Sequence, residues 1–517
     1  MLAIIKTALS NLILPVFSMG ACAAMLASNA AAQTGAWLTH SHDDQHTGLS
    51  TVQSQSLSKV HWQVPVDLAP PTNTGINVHY GSPLVTAANT VIVPVKTRST
   101  VGTSFRVEAH NGATGQKIWT LSTRYYAPNN GANQFIPGLG PTISGGRLFV
   151  PDIAGAVLAR ANPDEAVGKT TELYFYGQQN YLQDPTAYQK NVQIDTPLTT
   201  DAHGNLYFGF LVEGSTPLKL QSGLARIAAD GTGTWVSAAQ ASGDPTMTFV
   251  NFSAAPALSL DGSLLYVAVS NSHLYQYANG YLLALDSATL TLVNKQVLLD
   301  PSNGQDASIS PSSSAVPTVG PDGDVYFGVL EASVYPFPAH NYRGWLLHFN
   351  RDLSLVKIPG SFGWDDTPSI VPASLVATYH GTSSYLVMTK YNNYLYEGSG
   401  DGKNKIAILD PNATEHDPII SSTLVMKEVL TILGPTKNPS GGVYEWCINT
   451  AAVDPFTKSV LANSADGNLY RWDLTANKLT EKIRISSGYG EAYTPTLIGT
   501  DGTAYAINDA KLDAIGN

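Results

Sequence analysis

The chain has 517 residues, 28 basic against 39 acidic, and a formal net charge of -11. No basic cluster interleaved with aromatics offsets that charge, which argues against nucleic acid as a partner. Charged residues are only 13% of the chain, beside 45 glycines and 31 prolines, and no amphipathic helix pattern exceeds about two turns. A chain so long and so poor in helix signals is better read as one repeat array than as several α/β domains.

Residues 1–32 read as a cleaved signal peptide. Lys6 is their only charge, an apolar run extends from Leu9 to Val16, and Ala30-Ala31-Ala32 precedes Gln33. The run is too short to span a bilayer. Lipidation at Cys22, in M-G-A-C, is the lesser alternative. Loss of Lys6 takes the net charge from -11 to -12, that is -11 minus one basic residue. The mature chain is expected in the periplasm or outside the cell, as a monomer with no transmembrane segment. Cys447 then stands alone, so no disulfide, no C-x-x-C-H haem site and no cysteine-based zinc site can form.

Residues 33–58 form a polar segment without strand character. It contains H-S-H-D-D-Q-H, where His40, His42 and His46 are weak candidates for a metal, and Asp43 is expected to cap a turn. Residues 59–67, K-V-H-W-Q-V-P-V-D, alternate as one isolated strand.

A recurring start follows, a small residue, usually then proline, and an apolar strand. It occurs at Pro83, Pro141, Pro197, Pro256, Pro317, Pro368, Ala451 and Pro495. Each start leads to a tight turn, often Asp-Gly as in L-D-G-S (260–263), then to an aromatic strand such as L-Y-F-G-F (206–210). A third strand opens on glycine, and a fourth carries a tryptophan in the best-preserved units. These strands are called A, B, C and D. Four antiparallel strands per unit, repeated eight times, predict an all-β, eight-bladed β-propeller over residues 59–517. The last unit lacks strand D before Asn517, and strand 59–67 is expected to supply it and close the ring. Residues 411–448 are expected to be a long insertion between blades six and seven.

If A runs down the channel and B returns, the residues before A and after B share one rim. The B ends give Lys96, Asp152, Glu213, Asn271, Glu331, Lys390, Asn463 and Asn508. The A approaches give His79-Tyr80, Gln134-Phe135, Asp195, Asn251-Phe252, Trp364-Asp365-Asp366, Glu445-Trp446, Glu491 and Tyr493. Carboxylates with amide oxygens suit a hard cation such as calcium, and Trp364 or Trp446 suits stacking on a planar cofactor or a sugar.

The stretch A-H-N-G-A-T-G-Q-K-I-W (109–119) resembles the tryptophan-docking motif of the PQQ-like, quinoprotein alcohol dehydrogenase-like propellers, A-x-D-x-x-T-G-x-x-x-W, with Asn111 in place of aspartate. H-D-D-Q-H-T-G is similar to the opening segment of secreted PQQ-like repeat proteins. The resemblance implies the propeller fold and either of two roles, a PQQ- and calcium-dependent dehydrogenase of alcohols or sugars, or a scaffold without catalysis. The chain departs from the large dehydrogenases in lacking their adjacent cysteines. A non-catalytic binding or scaffold module is therefore the first expectation, with no cofactor and with an unknown protein, small molecule or carbohydrate as ligand. The alternative is a PQQ- and calcium-dependent oxidoreductase, with Asp152, Asp195 or Asp366 standing in for the general base. A third reading is carbohydrate binding or cleavage by Trp364, Trp446 and Glu491.

Overall fold

The computed structural model describes residues 35–70, 80–97, 104–128, 139–274, 278–310, 313–332, 340, 343–393, 400–446, 448–487 and 493–517. Their strands form eight separate antiparallel sheets, one per repeat, so the chain is an eight-bladed β-propeller. The innermost A strands are short: Leu84–Val85, Thr142–Ser144, Thr199–Thr200, Ala257–Leu258, Thr318–Val319, Ser369–Pro372, Ala452–Asp454 and Leu497–Ile498. The B strands behind them, such as Leu264–Ser270 and Tyr385–Tyr391, are buried along their whole length. Neighbouring blades cover both of their faces, which is why they read as continuous apolar runs rather than alternating ones.

Strand Lys59–Pro65 pairs antiparallel with Lys511–Gly516 and is the outermost strand of the last blade. Its Trp62 donates from Nε1 to the Gly112 carbonyl of blade one at 2.8 Å. Gly115 turns there at φ +70°, and a β-carbon on it would stand 2.6 Å from the Trp62 ring, so only glycine fits. Trp119 repeats the contact one blade on, donating to Pro163 O at 2.7 Å beneath the Arg160 guanidinium. Asn111 does the work of the usual aspartate, since its Oδ1 accepts from the Thr114 amide and hydroxyl, both at 3.1 Å. The motif is a joint between blades.

Four units depart from the repeat. Blades three and four each gain a fifth strand, Val192–Ile194 and Phe249–Val250, paired with strand B. Blade five has three strands, and the bridges Phe349↔Val356 and Leu346↔Gly360 occupy the fourth position. Blade six carries a long hairpin, Lys405–His416 paired with Leu424–Leu433. Of the stretch 411–448, expected as an insertion between blades, residues 411–416 and 424–433 belong to the C and D strands of blade six. Register shifts after Ile408 and Asp410 blur their alternation and hide them in sequence.

The polar N-terminal segment makes one circuit of the axis. Trp37 exchanges two backbone hydrogen bonds with Val85 of blade one, at 2.7 and 2.9 Å, and Leu38 O accepts from Ile143 N of blade two at 2.8 Å. The Thr39 hydroxyl reaches Leu198 O of blade three. Asp44 O and Gln45 O accept from Leu258 N and Val319 N of blades four and five, at 2.8 and 2.9 Å. Thr47 O and Gly48 O do the same for Ile370 N and Val453 N of blades six and seven, both at 2.8 Å. Gln55 N then reaches Gly502 O of blade eight. An innermost strand leaves unpaired backbone groups facing the axis, and this segment satisfies them blade after blade. Asp43 holds its sharpest bend, accepting from the Thr47 amide at 2.9 Å and from the Thr47 hydroxyl. The segment seals the channel at the end that carries the A–B turns.

Candidate functional site

The opposite end of the channel is ringed by the residues before strands A and after strands B. Several expected there have partners within the fold. Lys96 Nζ donates to the buried Asp67 Oδ2 at 2.8 Å and to Ala69 O at 2.9 Å. Asp152 is clasped across blades by Arg124, from its backbone amide at 2.5 Å and its guanidinium at 2.7 and 3.1 Å. Glu331 accepts from the His340 amide at 3.0 Å and ring at 2.8 Å, and burial raises its pKa. Glu213 and Asn271 are exposed at the ends of their strands. Trp364 packs with Leu330, Phe362 and Tyr391, and Trp446 is fully buried edge-on to Tyr470, so both tryptophans fill space between blades. Glu491, His79, Gln134 and Phe135 lie outside the described residues.

The histidines of the seal do not converge. His42 lies against Trp37 and Asp43, while His40 and His46 meet edge to face 5.6 Å apart on the buried side. Burial lowers their pKa values to about 3 and 4, so both rings are neutral. Among the described residues no group of three or more His, Cys, Asp or Glu is placed to hold a metal ion.

What the structure does bring together is Lys390 and its surroundings. The last turn of strand Tyr385–Tyr391 points Lys390 inward, wholly buried. Its Nζ stands 3.9 Å from Asp365 Oδ2 and 4.9 Å from the Tyr493 ring centre, and finds no hydrogen-bond partner. Asp365, at φ +54°, accepts from the Ser314 amide at 2.6 Å and hydroxyl at 2.7 Å. Asp366 accepts from the Thr389 hydroxyl at 2.6 Å and the Lys390 amide at 3.3 Å. Burial drives its pKa up to about 7, against the pull of Lys390 and with the help of Asp365. Asn449 donates to Ser314 O at 2.7 Å, and its side chain also bears on His40 of the seal. The site therefore rests on the seal through one chain of contacts, from His40 through Asn449 and Ser314 to Asp365 and Lys390.

Two further buried groups face the same end from blades three and four. Asp195 Oδ1 and Asn251 Nδ2 have no hydrogen-bond partner, and burial pushes the Asp195 pKa well above the carboxylate range. A buried ammonium, carboxyl and amide without a hydrogen bond carry an unmet cost, which folded proteins accept chiefly where a ligand or water completes them. Ser314 was not legible as a partner, because S-P-S-S-S-A-V offers several equivalent serines.

Neither a scan against protein-family models nor a search of curated proteins finds a match. Solved structures do match. A europium-containing methanol dehydrogenase superposes with a TM-score of 0.52 at 11% identity, covering 91% of this chain and 89% of its own. The quinohemoprotein alcohol dehydrogenase from Comamonas testosteroni gives 0.51 at 13% identity, covering 94% of this chain and 77% of its own. The chain shares the propeller fold of these structures. At such identities the likeness extends to the fold alone.

Proposed function

We propose that this propeller is a non-catalytic binding module whose ligand seats on Lys390 at the open end of the channel. The observation that carries the reading is the buried Lys390 ammonium with no hydrogen-bond acceptor, held toward Asp365 and Tyr493. An ammonium in that state is completed by a carboxylate or carbonyl oxygen. The ligand is accordingly a small molecule bearing such an oxygen, and the protein works in the periplasm or outside the cell. No described helix is long and apolar enough to cross a membrane. Calorimetric titration with acetate, pyruvate and glucose tests this, using Lys390→Met as the control. Saturable binding by one of them, lost in the variant, is expected. Heat that is absent throughout, or unchanged in the variant, overturns it.

A second reading is favoured by Asp366, whose pKa of about 7 beside Lys390 suits a general base in a PQQ- and calcium-dependent oxidoreductase. The residues fit that cofactor only in part. Asp195 Oδ1 offers one oxygen donor for calcium and Lys390 offers one cation. PQQ is a tricarboxylate, and Lys96, Arg124 and Arg343 are already held by Asp67, Asp152 and Asp417, while Lys405 lies over the Tyr391 ring. The binding reading therefore stands first. Alcohol oxidation with an artificial electron acceptor, dependent on added PQQ and calcium, would reverse the order.

A further inference from the structure

On the sealed face, the A–B turns of blades three and four enclose a cavity of about 520 Å³. Asp44 of the seal lies in its wall, fixed by the bond from Leu258 N to its carbonyl at 2.8 Å. The other two carboxylates lining it are saturated. Asp201 accepts from the His203 and Asn205 amides, both at 2.9 Å, the Asn205 side chain at 2.6 Å and the Tyr207 hydroxyl at 3.1 Å. Asp261 accepts from the Ser259 and Ser263 hydroxyls at 2.7 and 2.8 Å, the Ser263 amide at 3.1 Å and Arg351 at 2.5 Å. Asp44 has no such partners among the described residues. The charges acting on it are Asp43 and Asp201, both of its own sign.

We propose that this cavity binds a primary ammonium group, with the Asp44 carboxylate as its counter-ion. The electrostatics ask for a positive ligand, because burial and then the two aspartates push the Asp44 pKa up to about 8. A metal ion would find one free carboxylate and no group of three ligands. An ammonium needs only one carboxylate, and its alkyl stem has Leu258 and the exposed Leu260 to lie along. Arg226 lines the far wall, where its guanidinium donates to Asn205 Oδ1 at 3.0 Å, which favours a ligand with one cationic end over a polycation.

The ammonium belongs either to a small amine or to a lysine side chain of a partner, and the two are separable. Titrations with n-butylamine and with Nα-acetyl-lysine amide are to be run at pH 7 and pH 9, where an ordinary lysine, of pKa about 10.4, remains charged. Affinity is expected to rise about tenfold between them as Asp44 ionises. The facing groups are Asp43, Asp201, His203, Arg226 and Asp261, and His203→Gln, on the exposed lip, should leave that rise in place. Asp44→Asn should abolish binding. Should that variant fold poorly, Ala288→Phe, exposed at the cavity edge, should block binding with Asp44 intact. Binding of both probes assigns the site to small amines, and binding of the lysine amide alone assigns it to a partner's side chain. Binding of neither, an affinity independent of pH, or calcium binding lost with Asp44→Asn overturns the proposal.

Discussion

The two ends of the channel handle polar groups in opposite ways. At the sealed end the N-terminal segment gives about one backbone bond to each blade, and the polar side-chain atoms it leaves unpaired in the interior, Trp37 Nε1, His40 Nε2 and His46 Nε2, are neutral. At the open end Lys390, Asp195 and Asn251 are buried and unsatisfied, and Asp366 titrates near neutrality. The atoms without a hydrogen bond are thus neutral rings at one end and an ammonium, a carboxyl and an amide at the other.

The largest expected effect is on the seal. Gly48 turns at φ +62°, and a β-carbon there would meet Thr450 Cγ2 at 2.7 Å and Ala451 O at 2.9 Å. Gly48→Val should cost about 3 kcal/mol, read as a fall in Tm, through backbone strain and displaced packing. A melting temperature unchanged in that variant would mean the segment merely lies on the propeller. Next in size, Arg124→Ala leaves the buried Asp152 without its clasp and should cost about 2–3 kcal/mol by urea unfolding, with ligand binding retained.

A smaller effect is the pH dependence of stability. Asp44, Asp366 and Asp513 have pKa values raised to about 8, 7 and 7, each chiefly by burial, against an unfolded value near 4. The folded state therefore holds more protons than the unfolded one from about pH 4 up to those values, and stability falls as pH rises through that window. His40 and His46, lowered by burial, act in the opposite direction only up to about pH 6.5. Between pH 6.5 and 8 the carboxyls act alone, and a loss of about 2 kcal/mol is expected from Asp44. Asp44→Asn should flatten that slope in melts recorded across the range.

The smallest stability change belongs to the open end. The double variant Lys390→Met, Asp365→Asn removes a buried ion pair at 3.9 Å and should melt at or above the wild type. A loss above about 3 kcal/mol would make the pair structural and end the contrast between the two ends.

The repeating small-residue–proline starts and the docking tryptophans made the blade count legible, because each marks a local strand entry or joint. The hairpin of blade six was not, since register shifts break its alternation. The path of the seal was equally hidden. It gives about one backbone bond to each blade, a spacing set by ring geometry and by no sequence period. The rim residues were found as a set, yet their roles depend on distant partners: Asp67 for Lys96 and Arg124 for Asp152 lie 29 and 28 residues away. Nothing local distinguishes Lys96, which is paired, from Lys390, whose ammonium is not hydrogen-bonded.

The most direct test of the account is a calorimetric titration of small carboxylates and carbonyl compounds into the wild type and the Lys390→Met, Asp365→Asn variant. Saturable binding to the wild type, weakened at least tenfold in a variant that remains folded, is expected. Equal binding by both proteins, or none by either, would contradict it.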